Sequence, residues 1–303
     1  MSPATVEWVL VALAGLVVGS FLNVCIHRLP LGGSVASPPS QCPRCGAGIR
    51  WYDNVPVLSY LLLRGRCRGC RVAISPVYPL VETVVAGLFV LHWVVFGWQP
   101  LLAVRLVFAC ALVVLFMIDL RHHILPNRIT LPGIGVGLAC SLVAPPGWLS
   151  ATIGAVAGGG VLFVIAESYY RIRGEEGLGM GDVKMLAMIG AFLGWQQMIV
   201  TLILSSVAGS VVGIGLLASG RGGLKYALPF GTFLALGALA ASLVGDLLWW
   251  WYVSFYLLGL TAIVLLGLTA IVGALIAILV FAVLRLRGAA LRRRRAQGEQ
   301  RRA

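Results

Sequence analysis

Apolar and polar positions along this chain do not alternate; they fall into long apolar blocks separated by short polar stretches. The blocks lie at roughly 6–26, 78–98, 100–118, 129–146, 150–168, 185–196, 198–219, 227–251 and 254–284. Most approach the roughly 20 residues that a helix needs to cross about 30 Å of hydrocarbon. Helices satisfy their own backbone polar groups in lipid, so the pattern predicts an all-α polytopic membrane protein with about eight to nine transmembrane helices. The block at 185–196 is short: its helix begins before Lys184, tilts or is partly re-entrant. The block at 254–284 is long, either a ninth span or a tilted helix with an interfacial extension. The stretch 27–77 is the one long polar interruption. The chain thus divides into a first helix (1–26), a small loop domain (27–77), a membrane core (78–251) and a further segment with a basic tail (252–303).

Composition and charge placement sharpen this picture. The chain is 60% hydrophobic and only 11% charged, which excludes an ordinary soluble domain. A net charge of +13 could suggest nucleic acid. However, 22 of the 23 Lys and Arg residues lie in 27–77, 119–128, 169–184, 220–226 and the tail, and only Arg105 falls within a span. That is a positive-inside distribution; it places the N-terminus outside, predicts an odd number of spans and makes anionic lipid, not nucleic acid, the partner of the charge. The first block lacks a basic leader and reads as an uncleaved span. "WWWY" at 249–252 suits an aromatic belt on the outer side. The octapeptide "LLGLTAIV", repeated in tandem from 257, reads as a lipid-facing or interhelical stripe.

Seven cysteines are present. Cys25, Cys110 and Cys140 sit in apolar blocks as packing residues. Cys42, Cys45, Cys67 and Cys70 form two CxxC pairs separated by 21 residues in the polar loop. Each pair can turn two thiolates toward one ion, and together they complete a tetrahedral site with no open position. This points to structural zinc; redox dithiols and an iron centre are the alternatives.

Of the ten acidic residues, Asp119 and Asp182 stand apart. Asp119 ends an apolar block in "FMIDLRHHILPN". Asp182 follows Gly179 and Gly181 in "GLGMGDVKM", a supporting loop that permits close backbone approach. Both fall at the inner boundary. Two facing carboxylates share a proton: the ionised one takes a proton from water, and the neutral one serves the peptide carbonyl and leaving nitrogen. Which is the base stays open. Separate pairing with Arg121, Arg128 or Lys184, or a proton relay in a transporter, are the competing readings. His122 and His123 are adjacent on a helix, point about 100° apart and make an awkward metal site.

Several stretches together resemble the bacterial type IV prepilin leader peptidases with N-methyltransferase activity. They are "GSFLNVCIHRLP" at 19–30, the double-CxxC loop through "SPVYPLVE", "IDLRHHILPN", "GLGMGDVKM" and "LPFGTFLALGAL" at 228–239. The resemblance implies an inner-membrane aspartic endopeptidase, with Asp119 and Asp182 catalytic and the four loop cysteines binding zinc. It implies cleavage of the basic leader of prepilins and pseudopilins at the cytoplasmic face, serving pilus assembly or type II secretion. Methylation of the new N-terminus by S-adenosylmethionine would follow. Family residues tied to methyl transfer match Gly65 and Arg66, although lysine is usual at 66. Thr232 stands where proline is common, and the last segment exceeds the usual eight-span core.

Overall fold

The computed structural model describes residues 3–175, 177–219, 228–256 and 258–261. The described chain folds into α1 (Pro3–Arg28), a 3-10 turn (Trp51–Asn54), α2 (Leu58–Leu62), α3 (Val77–Phe96), α4 (Pro100–His122), α5 (Asn127–Cys140), α6 (Trp148–Arg173) and α7 (Met180–Ala218). A final helix, α8, runs over Phe230–Thr261. Among the described residues, six of these helices (α1, α3, α4, α6, α7 and α8) are long and apolar enough to cross a membrane. Residues up to Trp249 form one compact unit. From Trp250 a second unit begins, in which Trp251 stacks on Phe255 and Tyr252 on Tyr256. Most of the block at 254–284, the tandem octapeptide and the arginine tail lie outside the described residues.

Gly194 explains why two predicted blocks, 185–196 and 198–219, share one helical segment. Its φ of 79° and ψ of 173° are not helical and divide α7 into two limbs. Leu186 before the break and Met198 after it both lie against Gly158, so the chain reverses at Gly194. A β-carbon there would also meet Ser150 Oγ at 2.5 Å and Pro146 Cβ at 2.9 Å. Only glycine suits both the dihedral and the space. The first limb starts at Met180, earlier than the apolar block, because its opening turn carries Asp182 and Lys184.

Two other boundaries differ from the hydropathy reading. α5 stops at Cys140 instead of 146, and Ser141–Pro146 form the connection; Pro145 and Pro146 lack the N–H groups that a helix would need. α6 continues past 168 to Arg173, with an Arg171–Glu167 ion pair on its exposed surface, and ends at left-handed Gly174. Hydrophobicity marks the lipid limit, whereas capping marks the helix limit.

α4 is the central helix. Phe108, Leu112 and Leu115 face the core built with α7 and α8, including a stacked Phe108–Phe192 pair at 4.8 Å. Val113, Val114 and Ile118 face a second core with α1 and α3. α1 and α3 pack closely through Gly15 and Gly19, where added β-carbons would come within 2.6 Å and 2.7 Å of Ala86 and Glu82 Cα. This is small-residue packing of the kind that drives helix association in lipid. Because helix directions alternate, the C-termini of α1, α4 and α6 and the N-termini of α3, α5, α7 and α8 gather at one end, with the cysteine loop. The opposite end holds a buried polar group: His92 contacts Ser242 Oγ at 3.1 Å, and Gln197 bonds Asp246.

Candidate aspartate site and metal centre

Asp119 occupies the last turn of α4 and is 5% exposed. The helix stops because His123 adopts a left-handed conformation, with its N–H on the Asp119 carbonyl at 2.9 Å. Pro126 then caps α5, and the turn between them presents Leu125. Asp182 lies in the first turn of α7, which Gly179 caps, and is 8% exposed. A carboxylate there complements the positive end of the helix dipole.

Leu125 brings the two aspartates together. A β-carbon on Gly181, beside Asp182, would meet Leu125 Cβ at 2.9 Å. A β-carbon on Gly231 would meet Leu125 Cδ1 at 2.9 Å and Asp119 Oδ2 at 2.8 Å. The two glycines, one beside Asp182 and one against Asp119, therefore pack on the same leucine. Thr232, at the start of α8, donates its backbone N–H to Asp119 Oδ2 at 2.8 Å. Two of the three cations weighed as separate partners are engaged elsewhere: Lys184 Nζ donates to Asn127 Oδ1 at 2.9 Å, and Arg128 to the Gly32 carbonyl at 3.0 Å.

The cysteine loop is built from two knuckles of one design. The N–H of Cys42 bonds the Ala47 carbonyl, and that of Cys67 bonds the Val72 carbonyl, both at 2.9 Å. The N–H groups of Gly46 and Arg71 return to the carbonyls of Cys42 and Cys67. Both residues are left-handed, and bridges Gln41–Gly48 and Arg66–Ala73 close the knuckles. The four Sγ atoms lie within 4.8 Å of one another. Cys42 and Cys70 Sγ are 3.8 Å apart, far too long for a disulfide. Four sulfurs about 2.3 Å from a central zinc stand ~3.8 Å apart, so the donor set fits that ion. The backbone N–H groups of Cys45 and Arg44 lower the Cys42 thiol to about 6. His122 and His123 join no such cluster among the described residues.

Polar contacts invisible in the sequence anchor this loop. Arg68 forms a two-pronged ion pair with Asp53 at 2.6–3.1 Å and lies over the Tyr52 ring. Its hydrogen bond holds the Asp53 carboxyl below the usual range. Glu82 Oε2 accepts the N–H of Val57 at 2.7 Å, tying the loop to α3. Gly65 has a φ of 65°, and a β-carbon there would lie 2.9 Å from the Tyr60 hydroxyl. Gly65 and Arg66 thus belong to the turn that closes the second knuckle.

Residues 13–96 match the family described as the bacterial peptidase A24 N-terminal domain, and residues 106–214 match the type IV leader peptidase family. Among similar curated proteins is the prepilin leader peptidase/N-methyltransferase of Aeromonas salmonicida strain A449. It is 40% identical over 275 residues, 81% of this chain and 93% of that protein. The Pseudomonas putida protein of the same name is 40% identical over 263 residues, 78% and 90% of the two chains. That of Myxococcus xanthus strain DK1622 is 45% identical over 211 residues, 69% and 63%. No solved structure matches the chain.

Proposed function

This chain belongs to the type IV leader peptidase family, and from that premise we propose that Asp119 and Asp182 are the pair with which it cuts prepilins. It is a multi-pass membrane enzyme with both activities, leader peptidase and N-methyltransferase. The observation that carries the site assignment is the meeting of both aspartates around Leu125, from helices far apart in sequence.

In this reading, one carboxylate is ionised and the other keeps a proton. The ionised one takes a proton from water as the water oxygen bonds to the scissile carbonyl carbon. The neutral one gives its proton to the carbonyl oxygen, forming a gem-diol. The first then returns its proton to the amide nitrogen as the C–N bond breaks. The second regains a proton from the diol as the leader's carboxyl forms, so both aspartates end as they began.

The released pilin amine then attacks the methyl carbon of S-adenosylmethionine, the co-substrate. The S–CH3 bond breaks with its electrons on sulfur, and the amine sheds a proton. A groove of about 520 Å3 between the inner half of α1 and the loop is the surface we assign to this step; Ser20, Phe21, Arg28, Ser40, Trp51 and Asn54 line it. Cys42, Cys45, Cys67 and Cys70 would hold zinc, which cross-links the loop. Gly65 and Arg66 support methyl transfer by shaping the second knuckle. We assign 27–77 to methyl transfer, 78–251 to the peptidase, and 252–303 to anchoring. The distribution of basic residues supports a reading in which the cysteine loop and the aspartates face the cytoplasmic side of the inner membrane, where a prepilin's basic leader lies.

The test is prepilin cleavage in detergent by wild type, Asp119→Asn and Asp182→Asn. Both variants are expected to lose cleavage while methylating a precleaved pilin normally. Full cleavage by either would overturn the two-aspartate assignment.

A further inference from the structure

The first N–H groups of any helix lack partners within it. At the start of α8, that of Thr232 is aimed at the Asp119 carboxylate, 2.8 Å away and buried on both sides: Thr232 is 4% and Asp119 5% exposed. Its contact with the Pro229 carbonyl is longer, at 3.3 Å. The Thr232 hydroxyl is turned back onto that same carbonyl at 2.6 Å, so the side chain shapes the turn and the backbone reaches the acid. Gly231 makes the approach possible, because any side chain there would press on Oδ2.

We propose that the Thr232 backbone amide is a positioning group for the aspartate pair: it fixes Asp119 through Oδ2 and leaves Oδ1 to exchange protons with water and with Asp182. This rests on the assignment of Asp119 as a catalytic carboxylate. An oxygen already accepting a short N–H bond is badly placed to carry the shared proton, so the bond also makes the pair asymmetric. A proline at 232, the residue common in the resembled family, cannot form this bond. The positioning is therefore particular to chains with an N–H here.

The experiment compares wild type, Thr232→Pro and Thr232→Ala in prepilin cleavage. Proline is tolerated in the first turn of a helix and deletes the N–H; alanine keeps it and removes only the hydroxyl. Losing a hydrogen bond to a charged group corresponds to about a 10- to 100-fold loss. Thr232→Pro is expected to lower kcat by that order with KM unchanged, and Thr232→Ala to retain wild-type kcat. Zinc content and methylation of precleaved pilin report that the fold is intact. If Thr232→Pro fails those controls, the α-hydroxy acid analogue of threonine at 232, which replaces only the N–H, is measured for the same fall. Wild-type kcat without the N–H, or an equal fall in Thr232→Ala, would overturn the proposal. Full cleavage by Asp119→Asn would overturn the catalytic assignment instead, whatever the position 232 variants do.

Discussion

Replacing Gly231 by alanine tests the geometry of the site with a single methyl group. Gly231 lies in the first turn of α8 beside Thr232, and its φ is one that alanine adopts without strain. The methyl would stand 2.8 Å from Asp119 Oδ2 and 2.9 Å from Leu125 Cδ1. Relief requires both Asp119 and Leu125 to retreat by about half an ångström, and the Thr232 N–H holds the carboxylate against that movement. A misplacement of about 1 Å in a catalytic constellation can cost about 100-fold, so a shift of roughly half that should cost on the order of 10-fold in kcat. Helix propensity works the other way, favouring alanine by up to about 1 kcal/mol, so thermal stability should hold or rise slightly. The assay is prepilin cleavage in detergent, with methylation of a precleaved pilin and thermal unfolding measured on the same preparation. Gly135→Ala in α5, where an added β-carbon meets nothing within 4 Å, is the control and should leave cleavage unchanged. Undiminished kcat in Gly231→Ala would show that Asp119 does not depend on this packing.

Two further substitutions address the loop and the bundle. Cys67→Ser is expected to abolish stoichiometric zinc binding and open residues 27–77 to protease; metal analysis with limited proteolysis reads both, and unchanged values would sink the metal assignment. Gly194→Ala places a side chain at a φ of 79° against Ser150 and Pro146, so the reversal in α7 should be destabilised by about 1–3 kcal/mol, seen as a lower unfolding temperature in detergent; unaltered stability would mean the turn is not strained by a β-carbon.

The amino-acid sequence by itself determined what local pattern can determine. Apolar block lengths dictated membrane helices, because hydrocarbon thickness sets a minimum run. The one-sided placement of Lys and Arg gave the expected orientation. Two CxxC pairs announced a four-sulfur site, since ligand spacing within a knuckle is a property of a few consecutive residues. Asp119 and Asp182 drew notice because acids at helix ends beside lipid are costly. Family resemblance added the roles proposed for them.

Tertiary structure alone decided how those parts meet. Asp53 is paired with Arg68, Glu82 holds the Val57 N–H, and His92 is fully buried against Ser242. The blocks 185–196 and 198–219 anticipated a break between them, but packing against Ser150 and Pro146 decided that it falls at Gly194. Nothing near Asp119 announced that Leu125 would link it to Gly181, or that Thr232, 113 residues away, would bond it. Such contacts depend on how helices pack, and packing is set by the combined shapes of many side chains and close-approach glycines. Periodicity along a single segment carries no record of its neighbours.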